Sequence, residues 1–342
     1  MIPQFNTNEI AEISTLVNQS KMVVITTHHK PDGDAIGSSM ALYEFLTSLG
    51  IETHVVLPSD YPDFLLWMTK GQQVHTYDIN AAKCVELMLK ANTIFCLDFN
   101  EATRVEKLTE SLMQSKAKRI MIDHHLEPVN FCDYTLSYPT AGSTAELVFH
   151  FVQALDSNYK ISKYAASCLY AGVMTDTGSF RFSSTTGDTH RMIAKLIDCG
   201  VVPNEIYEAI FDNYSEQRTR FLGYCLKEKM VVFPQYNAAY MAITKDELKQ
   251  YNHQTGDTEG IVNYALGIKG IKMAAFFCEH DTIIKISFRS KGKFSVKELA
   301  ASHFNGGGHQ NAAGGKSMDS LADTIAKFES LLKQYESALL QT

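Results

Sequence analysis

The sequence predicts an α/β protein: a doubly wound, mostly parallel sheet, with a second, smaller α/β domain joined to it by a helical linker. Three observations carry this prediction. Short apolar runs at 22–25, 51–57, 93–97 and 119–122 alternate with helical patterns, as crossover helices on a parallel sheet require. Three of these runs end in ionisable side chains: the His28–Asp34 segment, Asp98, and Asp123-His124-His125. From Asn237 the pattern changes to shorter strands and a glycine-rich stretch. At 342 residues the chain is long enough for two cores.

Ile10, Ile13, Leu16 and Val17 set one face of a first helix over 8–19, and Asn6 and Glu9 are spaced like a capping box. Met22 to Ile25 forms a buried strand, and Thr26 to Asp34 the loop at its carboxyl end, where open α/β sheets bind ligands. The next helix carries Ile36, Met40, Tyr43 and Leu46 on one face and ends at Gly50, a C-cap. Strands over 51–57, 93–97 and 119–122 follow. Ala141 to Glu146 opens a helix to about Leu155, and another spans Tyr164 to Val173 before the Thr175-Asp176-Thr177-Gly178 turn. Residues 185–230 are helical and polar, broken at Pro203.

Beyond that arm, Tyr240 to Ile243 is a strand and Lys272 to Arg289 a hairpin turning near Glu279-His280-Asp281. A helix from Val296 to Phe304, a loop from Gly306 to Gly315, and a closing helix over 321–340 complete the chain. The expected organisation is a first domain over 1–190, a linker over 191–230 and a second domain over 231–342.

Composition narrows the function classes. No apolar run approaches the roughly 18 residues that cross a bilayer, and the start lacks a signal-peptide pattern, so the expectation is a cytoplasmic protein without a membrane partner. Seven cysteines are scattered without a C-x-x-C pair, as reduced thiols would be. A net charge of −7 argues against a broad grip on long duplex nucleic acid, while leaving room for a short anionic ligand in a local cationic pocket. Apolar-faced helices in the first domain and linker leave a homodimer open.

His28, Asp32, Asp34, Asp98, His124 and Asp176 together make four carboxylates and two imidazoles. Read singly, Asp32 and Asp176 are as easily turn residues, and Asp34 an N-cap. Read together, four carboxylates in one cleft repel each other strongly, and two divalent cations would cancel their charge. Mixed oxygen and nitrogen donors suit Mn2+ best, with Mg2+ or Co2+ as alternatives. Two ions about 3.5–4 Å apart can share a bridging hydroxide and clamp a phosphoryl group, which points to phosphoester hydrolysis. In the second domain, Gly306, Gly307 and Gly308 would let backbone N–H groups approach an anion, and His309 adds a hydrogen-bonding side chain. His29 is expected to have a local structural role, Lys291 and Lys293 to lie in a solvated loop, and the remaining histidines to be surface or ordinary core.

The ordered motifs H-x-x-P-D-x-D from His28, D-H-H from Asp123 and G-G-G-H-x-x-A-A-G from Gly306 resemble the DHH phosphoesterase superfamily. The last resembles its DHH-associated C-terminal domain, and the match covers nearly the whole chain. The resemblance implies one ion on His28, Asp32 and Asp98, and another on Asp34, Asp98, His124 and Asp176, with Asp98 bridging. It implies that His125 faces the substrate phosphate, with Asp123 orienting a neighbouring ligand. It also implies that Arg289 and Ser290 bind substrate beside the glycine motif. The free-standing two-domain form resembles the NrnA type, which implies hydrolysis of very short oligoribonucleotides and of 3′-phosphoadenosine 5′-phosphate (pAp). Alternatives are a pApA or cyclic-dinucleotide-product phosphodiesterase, an exopolyphosphatase-like enzyme, and a non-catalytic nucleotide-binding module, against which the intact ligand set counts.

Overall fold

The computed structural model describes residues 5–254 and 256–341. The chain divides into two compact units between Asn213 and Tyr214.

The first unit is built on β1 (Met22–Thr27), β2 (Glu52–Leu57), β3 (Val74–Thr76), β4 (Thr93–Leu97), β5 (Lys118–Asp123) and β6 (Tyr134–Ser137). All pair in parallel, in the spatial order β3-β2-β1-β4-β5-β6. The order reverses between β1 and β4. A doubly wound sheet opens a crevice at that point, because the crossovers leave to opposite faces. Side chains alternate across the sheet with a period of two. Val23, Ile25, Phe95, Leu97, Ile120 and Ile122 join one core, which also takes residues of the helices Gly33–Ser48, Thr144–Leu155 and Lys163–Asp176. Val24, Ile94, Cys96 and Met121 join the opposite core with residues of the helix Tyr77–Lys90.

The helices on the first face meet closely because they carry glycine where they touch. A Cβ on Gly37 would lie 2.4 Å from the Cys168 carbonyl oxygen, and one on Gly172 would lie 2.7 Å from the Ala145 Cβ. These contacts bring the ends of three helices together beside Asp34.

The second unit holds β7 (Met230–Phe233), β8 (Ala238–Ile243), β9 (Met273–Glu279), β10 (Ile284–Ser290), β11 (Gly307–His309) and β12 (Ala312–Ser317). Their order is β11-β12-β10-β9-β8-β7, antiparallel except for the parallel β8–β9 pair. Phe277, Phe288, Phe304 and Phe328 form the core on one face, with ring centroids 5.3 Å apart for the 277–328 and 288–304 pairs. Full burial of each ring contributes about 1.5–3 kcal/mol.

The structure departs from the sequence reading in the linker, in the glycine-rich stretch and in the closing helix. The stretch 191–230 is not a free-standing arm. Met192, Ile193, Leu196, Ile206 and Ile210 are buried in the first unit's core, whereas Phe221 and Cys225 are buried in the second's. Its helices are amphipathic, and each needs a core to cover its narrow apolar stripe. Gly306–Gly315 is not a loop, because β11 and β12 form an antiparallel pair within it. The closing helix breaks at Tyr335 into Leu321–Gln334 and Glu336–Leu340.

Candidate metal centre

The site forms at the carboxyl ends of β1, β4 and β5, beside the switch in strand order. Asp32 is the N-cap of the helix Gly33–Ser48, and its Oδ1 accepts the Asp34 and Ala35 N–H groups at 3.0 and 3.1 Å. This fixes the carboxylate and leaves Oδ2 facing His28 Nε2 at 4.0 Å. The His28 Nδ1 lies 2.9 Å from the His29 carbonyl oxygen, a contact that requires Nδ1–H as donor. In the neutral ring Nε2 therefore carries the lone pair, and it faces Asp98 Oδ2 at 3.4 Å. Acceptor facing acceptor is unfavourable unless a proton or cation lies between them.

Asp34 accepts from the first two N–H groups of the helix Thr144–Leu155, Thr144 N to Oδ2 at 2.6 Å and Ala145 N to Oδ1 at 2.8 Å. A helix N-terminus favours such an anion. Thr144 also donates its hydroxyl to Asp98 Oδ1 at 2.9 Å. Ser143 caps the same helix, and Glu146 reaches back to the Gly142 N–H, so this turn is held from both sides. His124 Nδ1 lies 3.4 Å from the Ala141 carbonyl oxygen. Its Nε2 faces three carboxylates: Asp176 at 3.3 Å, Asp98 at 3.5 Å and Asp34 at 3.9 Å.

Two donor clusters result, His28–Asp32–Asp98 and Asp34–His124–Asp176, each compact enough for one ion. Asp98 lies between them, with Oδ2 toward His28 and Oδ1 toward His124. Its backbone is left-handed, with φ at 64°, a conformation that aspartate tolerates better than most residues. Asp34 and Asp98 form the floor at 1% and 3% side-chain exposure, while Asp176 and Asp32 open to solvent at 31% and 52%.

The titration behaviour records the crowding. Burial, reinforced by the charges of Asp98, Asp176 and Asp32, pushes Asp34 well above the usual carboxylate range. Burial raises Asp176 to about 6, with His124 opposing and Asp32 and Asp98 adding to the rise. Asp98 is held below the ordinary range: burial works against its ionisation, but the His28 hydrogen bond and the nearby histidine charges outweigh it. Burial pulls His28 down, and its hydrogen bond to Asp98 and the Asp32 charge more than reverse this. His124 is raised in the same way, with Asp176 and Asp98 outweighing burial. Carboxylates that resist ionisation, beside imidazoles that hold a proton more tightly than usual, form a site short of positive charge. Two divalent ions would supply it, and the oxygen and nitrogen donors fit hard or borderline metals.

His125 and Asp123 adjoin this floor. Asp123 is fully buried and accepts from His125 twice, at Nδ1 (2.7 Å) and at the backbone N–H (3.1 Å). His125 Nδ1 lies 3.8 Å from Asp98 Oδ1.

In the second unit, β10 alternates buried Ile284, Ile286, Phe288 and Ser290 with outward Lys285, Ser287 and Arg289. Arg289 pairs in register with Ala312, and Ala312 with His309, so Arg289 and His309 lie on one sheet face. Ser290 points to the other face. Its hydroxyl donates to the Phe294 carbonyl at 2.7 Å and accepts from Asn311 Nδ2 at 2.9 Å, so its polar capacity is used within the fold. The Gly306 N–H likewise donates to the Ala300 carbonyl at 3.2 Å. Gly307 and Gly308 are exposed on the edge strand. Lys291 is exposed in the turn after β10 and donates to the Leu266 carbonyl. His29 Nδ1 lies 3.5 Å from Glu106 Oε2 and makes no hydrogen bond among the described residues.

Sequence reasoning missed Thr144, Ala145, Ala141 and Gly172, which position the donors without contributing one. The sequence marks Ala141–Glu146 as a helix start, but nothing in it indicates that the freed N–H groups serve Asp34, 110 residues earlier for Thr144.

Residues 22–173 match the DHH family, N-terminal domain, and residues 235–339 match the DHHA1 domain. A Bacillus subtilis protein named bifunctional oligoribonuclease and PAP phosphatase NrnA is 26% identical over 330 residues, spanning 95% of this chain and 99% of the relative. Its Thermus thermophilus namesake is 29% identical over 293 residues, 85% of this chain and 83% of the relative. The crystal structure of an exopolyphosphatase-related protein from Bacteroides fragilis superposes with a TM-score of 0.93 at 39% identity, covering 98% of both chains.

Proposed function

Since the chain belongs to the DHH family of phosphoesterases and carries a DHHA1 domain, we propose that it hydrolyses very short oligoribonucleotides to nucleoside monophosphates and pAp to AMP. The observation that carries this reading is the pair of donor clusters at the switch point of the sheet, with Asp98 belonging to one and facing His124 of the other at 3.5 Å. The names of the two NrnA relatives supply the substrate class.

His28, Asp32 and Asp98 would hold one ion, and Asp34, Asp98, His124 and Asp176 the other, with Mn2+ the first candidate. The ions supply Lewis acidity toward the phosphoryl group and toward water. The protein supplies the rest. Asp98 and Asp34 fix the floor through Thr144 and Ala145. Asp123 accepts from His125 Nδ1–H and orients the ring, leaving Nε2 as the position from which a proton would pass to the departing oxygen. In the second unit, Arg289, His309, Gly307 and Gly308 are assigned to the substrate phosphate, Arg289 by a bidentate contact. Ser290 and Gly306 are assigned to holding that surface in shape, because their donors are already engaged. A site of this size suits chains of a few nucleotides and needs no extended basic surface, in keeping with the net charge of −7.

Among the described residues no helix is long and apolar enough to cross a membrane, and all seven cysteines are free thiols. We propose a cytoplasmic location, which the free thiols support.

A second reading, hydrolysis of inorganic polyphosphate, draws support from the likeness to the exopolyphosphatase-related structure. A product assay with Mn2+-loaded protein separates the two. The substrates are 5′-labelled RNAs from dinucleotides to about ten nucleotides, pAp, and polyphosphate. The proposal expects mononucleotide from the shortest RNAs and AMP from pAp, with turnover falling as chains lengthen. Phosphate release from polyphosphate alone would overturn it.

A further inference from the structure

Arg104 lies in the helical turn Ala102–Leu108 that follows Asp98. The turn is fastened to the metal loop, because the His29 N–H donates to the Arg104 carbonyl at 2.7 Å. The side chain is half-buried. Among the described residues, the guanidinium has neither an ion pair nor a side-chain hydrogen bond. None of its nitrogens is sealed from solvent, so its donors stand open to an anion. Its neighbour Lys107 is paired, with Nζ 3.1 Å from Asp78 Oδ1.

An arginine kept here to neutralise the site would pair with Asp32 or Asp98, the carboxylates beside His28. Arg104 pairs with neither. The local backbone is also held against its preferences. Lys30, Asp98 and Glu106 all have positive φ, at 57°, 64° and 43°, and none is glycine. Such conformations persist where the surroundings over-determine them, and they cluster at working sites. Here they fix the first metal loop, the end of β4 and the Arg104 turn against one another.

We propose that Arg104 is a phosphate-binding residue of this site, gripping non-bridging oxygens of the substrate phosphate on the His28–Asp32–Asp98 side. The carboxylates serve the cations, and the guanidinium serves the anion that the cations attract. Its planar fork suits two oxygens of one phosphate, and a lysine could reproduce the charge but not that geometry. The inference rests on the phosphoesterase reading but not on nucleotide specificity, since orthophosphate itself should occupy the grip.

The test compares wild type, R104Q and R104K, each loaded with Mn2+. Orthophosphate binding is measured by calorimetry, metal content by elemental analysis, and kcat/KM on pAp. R104Q should bind orthophosphate at least ~10-fold more weakly and lose about 10²–10³-fold in kcat/KM, the range for removing one preorganised donor. R104K should recover part of the binding, and both variants should keep the wild-type Mn2+ content and melting temperature. Orthophosphate affinity within twofold of wild type in R104Q would overturn the assignment. So would a drop in Mn2+ content, which would make Arg104 a positioning residue for the donors, or a wild type that binds no orthophosphate. A wild type that binds orthophosphate yet leaves pAp and dinucleotides intact would refute the nucleotide reading and leave the Arg104 comparison readable.

Discussion

Replacing Asp98 with asparagine isolates the role of the shared ligand. Asparagine accepts the left-handed backbone at φ 64° and keeps one oxygen for the Thr144 hydroxyl, so the fold has little to absorb. The substitution removes one negative charge between His28 Nε2 at 3.4 Å and His124 Nε2 at 3.5 Å, where two ions are expected. Unit charges ~4 Å apart at an effective dielectric of ~20 interact by about 4 kcal/mol. If a third of this survives for each ion, each loses about 1.4 kcal/mol, or tenfold in affinity, and the pair about 100-fold. Asp98 also raises Asp34 and Asp176, so both carboxylates should shed protons more readily in the variant. Titration calorimetry with Mn2+ reads the affinities, and chromatography of AMP released from pAp reads kcat. The expected result is at least ~100-fold weaker combined binding and loss of most turnover. Two ions bound at wild-type affinity, or full kcat at saturating Mn2+, would refute the reasoning.

Metal binding should depend on pH with a definite sign. Asp34, Asp176 (about 6), His28 and His124 all have raised values in the ion-free protein, so they hold protons there that an ion must displace. Affinity should therefore fall as pH is lowered through about 6, with protons released on binding; calorimetry in buffers of different ionisation enthalpy checks this. His125→Ala should lower kcat by about 10²–10⁴ with Mn2+ content intact, the range for a general acid; elemental analysis beside initial rates decides it. Gly172→Ala should destabilise the protein by about 1–3 kcal/mol, since the added Cβ would meet the Ala145 Cβ at 2.7 Å and Asp34 Oδ1 at 3.1 Å. A thermal melt and a Mn2+ titration should register both the packing loss and the displaced ligand. Arg289→Ala should raise KM with kcat nearly unchanged, whereas Ser290→Ala should cost about 1 kcal/mol of stability and leave KM alone; steady-state kinetics with chemical denaturation separates the two.

Much of the site was legible in the sequence because its donors sit where the chain is most constrained. A strand end followed by a helix start leaves few places for His28, Asp32 and Asp34 to go, and the same holds for Asp98 after β4 and His124 after β5. The six ligand positions expected from the motifs fall into two clusters joined by Asp98. What the sequence did not disclose is long-range. Thr144 and Ala145 serve Asp34 only because the Gly37 and Gly172 contacts draw three helix ends together, and no local period encodes that. Asp176, expected in the turn after a helix ending at Val173, is the last residue of that helix. Ser290 misled for a different reason. Adjacent residues on a strand face opposite ways, so the neighbour of an outward Arg289 is turned inward.

Short or edge strands were also hidden. β3 has three residues, and β7 is an edge strand absorbed into the polar helical pattern before it. In β11 and β12 the glycines suppressed any strand signal, although the pairing in register with Arg289 is what aligns His309 with that side chain.

The account depends on two cations lying among the buried carboxylates. Crystals of the Mn2+-loaded protein, measured at the manganese absorption edge, test this directly. The expected anomalous map has two peaks about 3.5–4 Å apart, one against His28, Asp32 and Asp98 and the other against Asp34, His124 and Asp176. A map with no peak at this rim under saturating Mn2+, or with its ions bound elsewhere on the chain, would contradict it.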